Sequence, residues 1–288
     1  MKTKPYKFHI ASSLIFLLSV LPMAFATESS RYEWLPSGRF FQPIILDRAV
    51  ATTNASMLSY NVKGSDAEKL YSPVNIGIQK MILRSHKNTN EAYEFGVEFG
   101  VHSQFTIVDS GETLMGGLQN ADYRIGAVFN YKYFDSVFRI SLFHQSSHLG
   151  DDYMLRNDYL VPNTRILNYE QIDVTHSIQK GHARVYYGIG YNFSPNTARK
   201  RLALQGGYFY SKPFLKNNNI GWLYGVDVKI YEQNEYEPNF NAGLGLEFGR
   251  NAENPFMIIL EYYKGHLPFS TLEYQEVQLF GLGLHFHF

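Results

Sequence analysis

Apolar and polar side chains take turns along most of this chain. In Tyr93, Phe95, Val97, Phe99 and Val101 every odd position is apolar, while Glu94, Gly96, Glu98, Gly100 and His102 fill the even ones. Successive side chains of a strand point to opposite faces, so such a segment has one greasy face and one polar or glycine-lined face. The same period of two recurs over 123–133, 183–193, 220–230 and 240–248. After the first residues there is no run of about 18 apolar side chains, which excludes membrane-crossing helices. Reading the alternating runs between turn signals predicts strands over 51–62, 73–84, 92–108, 119–134, 136–148, 165–178, 182–194, 199–212, 219–231, 239–249, 255–265 and 276–288. The fold class expected is all-β, a transmembrane antiparallel β-barrel of about twelve strands, with greasy rows outward and polar rows inward.

The first residues do not share the alternation. Lys2, Lys4 and Lys7 precede an apolar stretch from Ile10 to Leu21, then Pro22 and the small-residue pattern Ala24-Phe25-Ala26. That order is expected of a secretory signal peptide, cleaved after Ala26. The organisation predicted is a signal peptide over 1–26, an N-terminal arm or partial plug over 27–50, and the barrel over 51–288. Trp34, Pro36, Gly38 and Pro43 break any strand pattern in the arm.

Composition narrows the class further. Aromatic residues make up 16% of the chain, with 22 Tyr against 22 Phe, a balance suited to rings at a water–lipid boundary. The absence of cysteine excludes thiolate metal clusters and an acylated cysteine anchor. A net charge of zero gives no general attraction to nucleic acid, so none is expected as a partner. Parity sends Glu94, Glu98, Glu247, Glu261, Arg124, Lys132, Arg139, Arg184 and Lys229 into the lumen, together with His102, His285 and His287. In a narrow barrel, opposed charges are expected to form a plugging network, and a non-enzymatic narrow pore or structural, lipid-binding protein is the alternative.

The end of the chain carries a resemblance. Phe280, Leu282, Leu284, Phe286 and Phe288 alternate with Gly281, Gly283, His285 and His287. This resembles the terminal strand of bacterial outer-membrane barrels, and the likeness implies recognition by the insertion machinery through Phe288 and a place in the outer membrane of a Gram-negative bacterium, among its lipids.

Candidate chemistry lies on the strand 136–148. Phe138, Ile140 and Leu142 belong to the lipid face, and the same parity puts His144, Ser146 and His148 there too. A tight turn is expected at Phe134-Asp135-Ser136, and His144 follows Asp135 by nine residues. At about 3.3 Å per residue and a tilt near 40°, His144 stands roughly 23 Å from that turn, close to the outer rim of an apolar band about 25 Å tall. An imidazole and a hydroxyl at i, i+2 on one strand face can share a proton, the activation step of acyl transfer. A third group must hold the ring, and Asn157 and Asp158 come next, Asp158 twelve residues after Ser146. His144, His148, Asp151 and Asp152 also have the right chemistry for a metal. The plainer reading is a strand that turns polar on leaving the membrane.

The order His, one residue, Ser, then an acid or amide resembles the outer-membrane phospholipase A and lipid A deacylase barrels. That resemblance implies an acyl-ester hydrolase with His144 as general base, Ser146 as nucleophile and Asp158, or Asn157, as orienting residue. The sequence itself requires no cofactor; the resemblance alone further implies calcium and a homodimer. The chain departs from the phospholipase in having Ser147-His148 after the serine in place of Asn-Gly, and no calcium ligands are matched. The stretch His-Gln-Ser-Ser-His-Leu-Gly-Asp-Asp, 144–152, is more closely similar to the hallmark of a bacterial outer-membrane family of unknown function, number twelve-oh-seven, which implies no activity.

Overall fold

The alternation produces a closed sheet. The computed structural model describes residues 31–63, 69–109, 114–156, 167–196, 198–214, 217–250, 255–268 and 271–286. The expected signal peptide, Asn157, Asp158, His287 and Phe288 lie outside these. Thirteen strands follow one another: β1 Arg31–Trp34, β2 Thr53–Val62, β3 Lys69–His86, β4 Glu91–Asp109, β5 Leu114–Tyr133, β6 Ser136–Leu149, β7 Leu167–Lys180, β8 Ala183–Asn192, β9 Leu202–Phe214, β10 Asn217–Tyr231, β11 Pro238–Phe248, β12 Phe256–His266 and β13 Glu276–Phe286. A single helical turn, α1 Asp151–Arg156, follows β6. Strands β2 to β13 pair antiparallel with their chain neighbours, and β13 pairs with β2 to close the ring.

Each of the twelve predicted strands coincides with one of these. The differences are local. β3 begins at Lys69 and β5 at Leu114, ahead of the expected starts at 73 and 119, so the connections before them are shorter than the predicted strand limits implied. β1 is an additional strand, whose Arg31–Trp34 pair with His86–Leu83 on the edge of β3 that β2 leaves uncovered. One end of the barrel carries tight links, such as Phe134-Asp135 with Phe134 at φ 50° and Gly181-His182 with Gly181 at φ 58°. The other carries the long connections 150–166, 193–201 and 267–275. Short turns on one side and long loops on the other are the rule for outer-membrane barrels.

Parity decides what faces where. Val97 and Phe99 are 43% and 47% exposed while Glu94 and Glu98, on the other face of the same strand, are buried. The barrel is therefore inverted relative to a soluble sandwich, with rings outside and carboxylates inside. At the short-turn end the outward rings cluster: Tyr131 stacks on Tyr133 and Phe138, and Trp222 stacks on Tyr224 beside Tyr210. Inside, Glu98 receives Arg124 and Arg139, each at 2.7 Å, and the Ser141 hydroxyl at 2.8 Å. Glu261 receives Arg48 at 2.6 Å and lies 2.7 Å from His285.

The segment between β1 and β2 runs among these inward groups. The Phe40 amide donates to Glu94, the Phe41 ring lies beneath the guanidinium groups of Arg139 and Arg184, and Asp47 pairs with Lys229 at 2.8 Å. Ala51 and Thr52 pass so close to β3 that a Cβ on Gly77 would stand 2.3 Å from their backbone atoms. Only a glycine fits at that crossing. At the long-loop end, Leu267 and Leu272 fold inward onto Leu58, Tyr60, Tyr71 and Tyr263 and form an apolar cluster across the mouth.

Candidate functional site

The outward row of β6 changes character along its length. Phe138 and Ile140 are exposed at 41% and 39%, as a lipid-facing row requires. His144, Ser146 and His148 continue the same row half-buried, while Phe143, Gln145 and Ser147 point into the barrel and are buried. The inner side holds the strand in place: the Gln145 amide donates to Asp122 at 2.9 Å, and the Ser147 and Thr271 hydroxyls are 2.5 Å apart. The expected orientation of the three polar residues is thus the one observed, toward the long-loop end.

Ladder register then sets their neighbours. On β5, Ile125 stands opposite His144 and Tyr123 opposite Ser146. On β7, Glu170 stands directly opposite His144. Directly opposed residues on one face of an antiparallel pair have Cβ atoms about 5 Å apart, close enough for an imidazole to meet a carboxylate. His144 Nδ1 lies 2.9 Å from Glu170 Oε1, and the Ser194 hydroxyl, just past β8, donates to the other carboxylate oxygen. Ser146 Oγ lies 2.6 Å from His148 Nε2, and the Tyr123 ring meets the His148 ring edge-on at 5.8 Å.

Two linked pairs therefore lie side by side on a face that hydrocarbon would otherwise cover. An unpaired polar group there costs several kcal/mol, so pairing is a condition for their presence. Pairing alone does not explain why they are there. A carboxylate on Nδ1 selects the tautomer whose Nε2 carries a lone pair, which is the form a general base needs. A serine hydroxyl already held by an imidazole nitrogen has the contact needed for activation.

The sequence brought His144, Ser146 and His148 together. The structure adds Glu170 and Ser194, which sequence reasoning did not single out. Asp158 is not among the described residues. The signal for Glu170 was present: on β7 the outward row is Asn168, Glu170, Ile172, Val174, His176 and Ile178, and a carboxylate in a lipid-facing row is an anomaly by itself. Among the described residues no three His, Asp or Glu side chains converge as a metal site would require. Of the two acids weighed as ligands beside His148, Asp152 instead accepts the Leu118 amide at 3.1 Å.

Comparison with known proteins agrees with the architecture. The chain is similar to an active-site mutant of outer membrane phospholipase A from Escherichia coli, with a TM-score of 0.52 and 11% identity over 86% of this chain and 94% of that one. The enzyme without that substitution gives a TM-score of 0.49 at 12% identity, over 85% of this chain and 94% of that one. The translocator domain of the autotransporter NalP from Neisseria meningitidis gives 0.43 at 9% identity, over 97% and 96%. At such identities the first likeness is one of fold. No curated protein matches the chain. The family model described as protein of unknown function (DUF1207) matches residues 24–288, and the chain belongs to that family.

Proposed function

We propose that this protein sits in the bacterial outer membrane and hydrolyses acyl esters of membrane lipids at the rim of the outer leaflet. Ser146 is the nucleophile, His144 the general base and Glu170 the residue that orients it. The observation that carries this reading is the His144 Nδ1 to Glu170 Oε1 contact of 2.9 Å beside an outward serine. In the step proposed, Ser146 Oγ attacks the ester carbonyl as its proton passes to His144 Nε2. The tetrahedral intermediate expels the lipid alcohol, which takes that proton from His144. Water, activated by the same imidazole, then releases the fatty acid from the acyl-serine. At rest the Ser146 hydroxyl is held by His148 Nε2 at 2.6 Å, and the step requires it to leave that partner for His144 by rotating about χ1.

The filled lumen supports a scaffold more than a channel. A cavity there, between Asp47, Arg48, Lys229 and Tyr263, holds about 20 Å³, which is room for about one water molecule. We read residues 35–52 as the plug of this lumen.

Refolded protein incubated with phospholipid vesicles or lipopolysaccharide should release fatty acid. Ser146→Ala and His144→Ala should each abolish release while leaving heat-modifiable migration unchanged. Undiminished release by both variants would overturn the assignment.

A further inference from the structure

An arginine on the same rim carries a further signal. Arg201 precedes β9 and is exposed, and its Nη1 donates to the Tyr191 hydroxyl at 2.7 Å with the guanidinium 5.7 Å from the Tyr191 ring centre. Tyr191 belongs to the outward row of β8 with Tyr187 and Ile189. Among the described residues six arginines pair with a carboxylate within 4.0 Å, and Arg201 is in none of those pairs. The nearby carboxylate of Glu232 accepts the backbone amides of Arg201 and Leu202, both at 3.1 Å. The fork is held in place by a tyrosine and directed at the surroundings. A planar guanidinium so oriented is suited to a phosphate, which it can hold by two parallel hydrogen bonds.

What lies beneath and beside it selects the kind of phosphate. Leu202, Leu204 and Ile189 are exposed at 37%, 44% and 50% just below, a surface for acyl chains. Tyr191 stands opposite Ile172 on β7, which in turn stands opposite Leu142 on β6, one outward step from His144. Strands β6 and β8 are two ladder spacings apart, roughly 10 Å. One lipid molecule spans that distance between an ester carbonyl and a headgroup.

We infer that Arg201, braced on Tyr191, is the anchor for the phosphate of an outer-leaflet lipid, and that the substrate of the Ser146 site is a phosphate-bearing acyl lipid. The substrate half rests on the hydrolase reading; the binding half does not. Two measurements keep them distinguishable. In the first, hydrolysis of phosphatidylglycerol is compared with that of diacylglycerol in the same detergent micelles. Arg201→Ala should lower the ratio of the two kcat/KM values by roughly tenfold, the value of one charge-assisted contact, chiefly through KM. Arg201→Lys should recover part of that ratio. An unchanged ratio in Arg201→Ala would overturn the inference. In the second, lipid retained by the protein is counted by native mass spectrometry, which needs no turnover. Phosphatidylglycerol should be retained in preference to diacylglycerol, should withstand millimolar inorganic phosphate because its chains rest on the apolar row, and should lose that preference in Arg201→Ala. Equal retention of both lipids, or displacement by inorganic phosphate, would overturn it even if the protein hydrolyses nothing.

Discussion

Glu98 and Glu170 are both strand carboxylates in one barrel, and their surroundings are opposite. Glu98 points into the lumen, is 1% exposed, and is saturated by Arg124, Arg139 and Ser141. Glu170 points outward, is 41% exposed, and meets one imidazole and one hydroxyl. The inner carboxylate belongs to a network whose charges answer each other at salt-bridge distance, as a narrow filled lumen demands. The outer one faces a medium that offers no answering charge, and its partner is the imidazole of His144, two residues from a serine. The difference teaches that polarity inside this barrel is architecture, whereas polarity on its outer face calls for a chemical reason.

Substitutions can break that contrast. The largest effect expected is from Ser146→Ala, which should reduce fatty acid release by roughly 10⁴-fold while the thermal unfolding midpoint stays put. Glu98→Gln should do the reverse. It leaves Arg124 and Arg139 buried without their charge partner and should cost about 3–5 kcal/mol of stability, read from denaturant unfolding in micelles, while each folded molecule keeps its hydrolytic rate. Equal loss of stability from both changes would erase the distinction between the two regions. Glu170→Gln removes the charge that selects the His144 tautomer and should lower kcat by about 10²-fold with KM nearly unchanged. His148→Ala should have the smallest effect, at most a few-fold on kcat, because the proposed step gives His148 no proton to transfer. A loss as deep as that of His144→Ala would transfer the role of base to His148.

Much of this was legible in the chain because a barrel writes its parity locally. The row Tyr93 to Val101 announces its own inside and outside, and so does the row His144, Ser146, His148, since each depends only on the period of a strand. What was not legible depends on partners distant in sequence. Glu170 faces His144 because β7 pairs with β6 in one particular register, and spacing along the sequence cannot supply that number. Asp158, singled out by its spacing from Ser146 and by the resemblance to the phospholipase and deacylase barrels, lies outside the described residues. β1 was hidden for the same reason: four residues with Trp34 beside Leu35 show no alternation, and they form a strand because the edge of β3 near Ser85 is free to receive them. Arg201 was equally silent, since its direction is set by Tyr191 on the neighbouring strand.

The central claim is that the hydroxyl of Ser146 is activated by the imidazole of His144. The most direct test is covalent labelling of folded protein with a fluorophosphonate, followed by peptide mass spectrometry, in the wild type and in His144→Ala. The account predicts a phosphonyl group on Ser146 in the wild type and its loss in the variant. A wild-type barrel that shows full heat-modifiable migration yet carries no label on Ser146, or a variant labelled as fast as the wild type, would contradict it.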